Sequence, residues 1–315
     1  MTLAQVVALT CRKPVPVERV CTRLGLSESR LRLMLKQADR DGYHVKMVNG
    51  HVSCRVPMGA IEPVVIGAAS PGKRVHVLHL TDLHVGSAHC AEDGVRDILH
   101  RAWDKGARAC VGTGDLIDGT GPKAVKLLAD QRCATWDGQT DRVVELFREV
   151  PLEHAWIDGN HDGYSSDAAG MQSGRQLQWK ARDAGLKWTF LGMCAGRATV
   201  AGARFFLWHP HGAGTTRNSV RRSVNAKIEA LDEPTDFVCS GHFHRAAIVP
   251  AFGERVWGLA GGTAQIRASE FANRATAGWD MGAWLISFSM DKTGAVHEPS
   301  AEWLEIKPKY LRIAA

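Results

Sequence analysis

Five short segments place aspartate, asparagine and histidine where apolar runs end. They are TDLHVG (Asp82, His84), GTGDLIDG (Asp115, Asp118), IDGNHDG (Asn160, His161, Asp162), FFLWHPHG (His209, His211) and CSGHFH (His242, His244). Each alone has a structural explanation: a polar turn, a helix cap or a pair of surface histidines. Together, each following an apolar strand, they assemble oxygen and imidazole donors of the kind that hold divalent ions. Mixed imidazole and oxygen ligation suits Mn, Fe, Co or Zn better than Ca or Mg.

The elements that must position these residues are legible as alternating apolar runs and helical stripes. RVHVLHL reads as a strand, GVRDILHRAW as a helix and ARACVGTGD as a strand ending in a polar turn. Helical stretches surround KAVKLLAD and DRVVELFREV, LEHAWIDGN is a strand and SGRQLQWKARDAG a helix. Further strands are WTFLG, ATVAGARFFLWH, DFVCSGHFH, AAIVPAF, RVWGLAG and MGAWLISFSM. Helices between early strands and antiparallel strands late in the chain predict a layered α/β sandwich. Ligands gather outside the carboxyl ends of strands in such sheets. If the path of RVHVLHL stays extended past Leu80, the two-residue period of a strand projects Asp82 and His84 the same way.

The order DxH, GDxxD, GNHD, a strand-end His and GHxH resembles the calcineurin-like metallophosphoesterase superfamily over roughly residues 75–265. The resemblance implies a four-layer α/β/β/α sandwich holding two divalent ions, with Mn the usual choice and Fe, Zn or Co as alternatives. It implies that Asp82, His84 and His244 bind the first ion, that Asp115 bridges both, and that Asn160 and His242 bind the second. The strand-end histidine completes the second site; His209 directly ends the apolar run and is favoured over His211, which stays as an alternative metal or substrate contact. Two ions carry four positive charges and the two aspartates return two, so a positive surplus remains for hydroxide and phosphate. Paired ions let a bridging hydroxide attack in line while both ends of the displacement are clamped. His161 resembles the family's catalytic histidine, and Asp162 either orients it or makes a structural hydrogen bond. Asp118 is expected to brace the turn or a ligand from behind, and Arg245 either touches substrate phosphate or lies at the surface.

Within the superfamily, Gly119 after Asp118 and GNHD in place of GNHE depart from the protein-phosphatase pattern. The forms TDLHVG, GDLIDGT and GNHD look closer to the repair-nuclease branch typified by SbcD. The implied activity is a phosphodiesterase or nuclease acting on DNA. The alternatives are a phosphatase or phosphodiesterase for small nucleotides, and a DNA-binding regulator with a residual phosphoesterase fold.

Residues 1–56 form a segment of different character. They hold ten Lys/Arg against four acids, while the rest of the chain is balanced at twenty-nine of each sign, so the net charge of +6 resides there. A basic excess of this kind suggests a polyanionic partner. Leu3, Val6, Val7 and Leu9 mark one short helix, Val17, Val20 and Leu24 a second, and Leu31, Leu33, Met34, Leu35 and Ala38 a third. YHVKMVNGHVSCRV reads as a hairpin turning on Asn49–Gly50. This segment resembles the winged helix-turn-helix modules of bacterial regulators, which implies nucleic-acid binding, to DNA above all, through Arg30, Arg32, Lys36 and Arg40. Protein docking is the competing role. Residues 57–73 read as a linker and 74–315 as the phosphoesterase domain. No stretch approaches the roughly 18 apolar residues of a membrane span, the opening has no signal-peptide pattern, and the eight cysteines lack any CxxC. Reduced thiols, a cytoplasmic location and no membrane partner are expected.

Overall fold

Alternation in single strands decides which face each core receives. In RVHVLHL, Val77 enters one apolar cluster while Leu78 and Leu80 enter another, as the two-residue period requires. In the computed structural model, which describes residues 15–40, 45–54, 64–67, 72–169, 172–212, 216–266 and 278–307, the chain divides into two units, Met1–Glu62 and Pro63–Ala315.

The larger unit is built on two six-stranded mixed sheets. In the first sheet, β5 (Arg74–Leu80), β6 (Ala109–Thr113), β7 (Glu153–Asp158) and β8 (Trp188–Met193) run parallel. The antiparallel strands β14 (Gly282–Met290) and β15 (Val296–Glu305) extend it beside β5. The second sheet runs β12 (Ala247–Ala251), β13 (Val256–Ala260), β11 (Phe237–Ser240), β10 (Ala203–Trp208), β9 (Ala195–Val200) and β4 (Val64–Ile66).

The inner faces meet in one core, with Val77, Val111 and Ile157 from the first sheet and Phe205, Leu207, Phe237 and Leu259 from the second. The outer face of the first sheet is covered by α3 (Glu92–Asp104), α4 (Trp136–Phe147) and α6 (Ser173–Asp183) through Val95, Ile98, Val143, Phe147 and Leu177. The outer face of the second is covered by α7 (Arg217–Glu229) through Val220, Val224 and Ile228, which pack on Phe206 and Val238. Helix, sheet, sheet and helix are therefore stacked as four layers.

Several local expectations are corrected. ATVAGARFFLWH is a hairpin rather than one strand, turning at Ala201–Gly202, where both residues have positive φ. Val64–Ile66, within the expected linker, pairs in parallel with β9 as an edge strand. Pro122–Asp130, around KAVKLLAD, is a 3₁₀ helix. Two helices escaped the sequence reading: α5 (Asn160–Ala169), hidden by its polar composition, and α7. The sequence did carry a signal for α7, since Thr216 caps it and Val220, Val224 and Ile228 recur every four residues. Val296–Glu305, to which no role fell, is the edge strand β15.

In the smaller unit, β1 (Val15–Pro16), α1 (Val17–Leu24) and α2 (Glu28–Arg40) precede the hairpin of β2 (Val45–Val48) and β3 (His51–Cys54). The sheet order is β1-β3-β2. Asn49 and Gly50 turn the hairpin with φ of 50° and 71°, the left-handed pair that a two-residue turn needs. Gly25 ends α1 in the left-handed region at φ 60°, and Ser27 Oγ accepts the Arg30 N–H at 3.3 Å at the start of α2. Val17, Val20, Leu31, Leu35 and Val52 make the core of this unit. Leu33, expected on the buried stripe, is 65% exposed, because Leu31 and Leu35, at i−2 and i+2, lie on the inward face of the helix and turn Leu33 away from it. The helix expected from Leu3, Val6, Val7 and Leu9 lies outside the described residues.

Candidate metal centre

The strand ends do not hold their ligands by alternation. β5 stops at Leu80, and Asp82 and His84 both take φ of 51°. Asp115, His242 and His244 are likewise left-handed, at 51°, 73° and 52°. Left-handed backbone costs a residue with a Cβ roughly 1–2 kcal/mol, and such conformations concentrate at functional sites. The expectation that an extended path would align Asp82 with His84 is therefore corrected. The pair is turned by two left-handed residues around a buried Leu83. Backbone bonds stitch these turns together: the Asp82 N–H reaches Gly114 O and the His84 N–H reaches Asp115 O, each at 3.0 Å.

Close approach of the loops depends on two glycines. A Cβ on Gly114, which has φ of 89°, would lie 2.6 Å from Gly159 Cα and 2.7 Å from His209 Nδ1, and a Cβ on Gly159 would collide with the Asp115 carboxylate.

Two groups result. Asp82, His84 and His244 each offer one ligand atom, all within 4.8 Å of one another, and Asp115, His209 and His242 do the same. Asn160 joins the second group, its Oδ1 lying 3.1 Å from His209 Nε2 and 2.9 Å from His242 Nδ1. His209 Nδ1 donates to Thr113 O at 2.7 Å. That bond fixes the tautomer and leaves the Nε2 lone pair facing Asn160 Oδ1 and, at 3.3 Å, Asp115 Oδ2. Acceptors facing acceptors require a cation between them. Without a metal a proton serves: burial would lower the His209 pKa, yet Asp115 and then Asp82 raise it to about 9. Burial would likewise raise Asp115, but His209, His161 and His84 hold it well below the usual carboxylate range. In the first group, His84 Nε2 lies 3.4 Å from His244 Nε2, and His244 Nε2 lies 3.3 Å from Asp82 Oδ1. The donor set and its crowding fit two divalent ions.

Around these ligands, Asp118 Oδ1 lies 3.3 Å from His84 Nδ1, and Asp118 Oδ2 accepts from Gln131 Nε2 at 3.0 Å. His161 Nδ1 donates to the backbone oxygen of Asp118 at 2.8 Å, and its N–H donates to Asp115 Oδ1, also at 2.8 Å. Burial, with His84 adding to it, lowers the His161 pKa. Asp162 does not orient His161. Its carboxylate accepts the N–H groups of Leu116, Ile117 and Gly159 at 3.1, 3.1 and 2.7 Å and so ties the GDxxD turn to the GNHD turn. Burial, reinforced by Asp115, raises its pKa to about 6.

His211 is exposed, with Nε2 3.1 Å from Cys194 Sγ, and stands outside both groups. Arg245 directs Nη1 toward Asp280 Oδ1 at 3.6 Å. Arg30 is exposed on α2, Arg32 is paired with Glu28 at 2.6 Å, and Lys36 and Arg40 lie on the same helix. The sequence reading missed Gln131, Thr113 and Trp279, whose ring stands edge-on to His244 with centroids 4.5 Å apart. No sequence pattern marks them, because each acts across a long chain separation. Among the described residues no helix is long and apolar enough to cross a membrane.

No family model matches the chain, and no curated protein matches it. Solved structures that it resembles include a 5′-nucleotidase precursor from Thermus thermophilus, at 13% identity and TM-score 0.41, covering 76% of this chain and 55% of that one. Another is the Thermus thermophilus sulfate thiohydrolase SoxB in complex with glycerol, at 11% identity and TM-score 0.39, covering 78% and 59%. A third is Vps29 from Entamoeba histolytica, complexed with zinc, at 14% identity and TM-score 0.37, covering 74% of this chain and all of that one. The chain spans between one half and two thirds of the length of the first two.

Proposed function

We propose that the protein is a metal-dependent phosphoester hydrolase of the calcineurin-like type, and that its substrate is a phosphodiester of nucleic acid, DNA above all. The observation that carries the reading is the pair of groups within each of which the donor atoms lie within 4.8 Å of one another, five of their six residues in the left-handed conformation. Asp82, His84 and His244 would hold one divalent ion, and Asn160, His209 and His242 a second, with Asp115 against both. Mixed imidazole and oxygen ligation suits Mn, Fe, Co or Zn better than Ca or Mg, and the resemblance to the calcineurin-like family makes Mn the first choice. When bound, paired ions supply Lewis-acid polarisation of the phosphoryl oxygens and an activated water.

The chain's own residues do the rest. Asp118 and Thr113 fix ring orientation at His84 and His209. Because His161 Nδ1 is engaged by Asp118 O, Nε2 is the atom that exchanges a proton with the leaving oxygen. Asp162 holds the two turns in register rather than touching the reacting groups.

The DNA reading is supported by the basic excess of residues 1–56 and by Arg30, exposed on α2 in a unit whose helices and hairpin suit a winged helix-turn-helix. Turnover of bis(p-nitrophenyl) phosphate, its monoester, and single- and double-stranded DNA with Mn²⁺ tests the proposal. Wild type is expected to hydrolyse the diester and DNA, and Asp115→Asn to lose both. No metal-dependent turnover of any ester would end the enzyme reading, while preference for the monoester would favour a small-nucleotide phosphatase. Arg30→Glu is expected to weaken duplex binding and flatten its salt dependence by about one unit of slope. No change would assign the smaller unit to protein docking.

A further inference from the structure

The loop that carries His244 is bordered by cationic and aromatic side chains that no part of the metal centre uses. Asp280 donates its N–H to His244 O at 2.9 Å and accepts the Ala246 N–H on Oδ2, also at 2.9 Å, so it is fixed to the ligand loop. Its other oxygen receives two guanidiniums, Arg217 at 3.0 Å and Arg245 at 3.6 Å. Both guanidiniums thus gather at one carboxylate beside His244. Arg217 is only partly spent there: its side chain remains 61% exposed.

Arg217 opens α7, and Arg221 lies one turn further on the same face, about 6 Å along the axis. Arg221 is exposed and has no ion-pair partner among the described residues. The first turn of α7 contains no acid to neutralise either arginine. Trp279, adjacent to Asp280, places its ring against His244 and is half-buried. Guanidiniums at helical spacing beside an indole are the components of a single-strand track, in which phosphates meet arginine and an unpaired base stacks on an aromatic ring. A duplex keeps its bases stacked on one another and gives the indole nothing to receive.

We infer that Arg217, Arg221 and Trp279, with Arg245 behind them, form the track along which a single-stranded polynucleotide leaves the metal centre on the His244 side. The track rests on the phosphodiester reading and names what that reading leaves open: an unpaired strand, recognised by phosphates beyond the one being cleaved. It discriminates a polymer from a mononucleotide, which has no further phosphate to offer Arg221.

Arginine modification by phenylglyoxal, resolved by mass spectrometry on the full-length protein, tests this without requiring turnover. With a phosphorothioate octathymidylate as probe, modification of Arg217 and Arg221 is expected to slow by about tenfold as phosphate contacts form. Arg148 and Arg175, exposed on other elements, keep their rates, and thymidine monophosphate leaves Arg221 unprotected. Equal rates at Arg217 and Arg221 with and without the octamer overturn the track, as does equal protection by the mononucleotide. The double reversal R217E/R221E is expected to raise KM for a long single strand about tenfold more than for bis(p-nitrophenyl) phosphate; equal changes count against the track. Failure of wild type to turn over any ester refutes the hydrolase reading, while the footprint still decides whether the strand binds here.

Discussion

Two fully buried histidines show how one residue type serves two opposed environments. His209 sits among carboxylates, an amide oxygen and a carbonyl, and its pKa rises to about 9. His154 sits in the outer layer, stacked on Trp188 at 4.8 Å and edge-on to Phe147 at 5.1 Å, with neither ring nitrogen hydrogen-bonded, and burial lowers its pKa to about 3. Burial is common to both, so it does not set the charge. Facing acceptors do, and they make the first region a cation site and the second an apolar layer that happens to contain an imidazole.

The largest effect on this contrast comes from Asp115→Asn. It removes the main group that raises His209, so metal-dependent turnover should vanish, and NMR titration of the metal-free variant should show the His209 pKa falling toward that of His154. A pKa still near 9 would mean that Asp115 is not the dominant partner. His161→Gln should lower turnover by about 10²- to 10⁴-fold while leaving metal content intact, measured by steady-state kinetics and metal analysis of the same sample. Gln131→Leu removes the donor to Asp118 Oδ2 and should weaken metal binding by about tenfold, the lower range for loss of a group behind a ligand. Calorimetric titration with Mn²⁺ would read it. An unchanged affinity would show that Asp118 holds its place without Gln131.

The smallest effects are on stability of the metal-free chain. The folded pKa of His209 lies above the unfolded value near 6.5, so its contribution is full below pH 6.5 and is lost as pH rises through about 9. His154 and His79 are both lowered to about 3. The unfolded chain then takes up their protons first, and stability falls between pH 6.5 and about 3, by about 1.4 kcal/mol per unit for each group. His154→Phe should flatten that acid limb by one proton and add about 1 kcal/mol at neutral pH, since two desolvated nitrogens disappear. Urea denaturation at several pH values distinguishes this from an unaltered acid slope.

Much of the site was legible because each ligand lies in a short motif after an apolar strand. His209 and His211 were separable only in space: the first meets Thr113 O and Asp115, the second meets Cys194. The left-handed turns at Asp82 and His84 were not legible, since the strand period gives the direction of side chains only while the path stays extended. Asp162 looked like a partner for His161 because it is next in sequence, yet its carboxylate turns back to Leu116, Ile117 and Gly159. The alternation of strands and helices announced the layers, whereas β4, only three residues long within a stretch rich in proline and glycine, and β15, an edge strand of mixed polarity, read as linker and tail. The track beside His244 joins residues from α7 and from the segment before β14, and no local pattern connects them.

The central proposal is that strand-end loops, most of them turned by left-handed residues, hold two ions. Crystals soaked in Mn²⁺ and measured for anomalous scattering test it most directly. Two peaks about 3.5–4 Å apart are expected, one against Asp82, His84 and His244 and the other against Asn160, His209 and His242, with Asp115 between them. No peak at these residues, or peaks elsewhere on the chain, would contradict it.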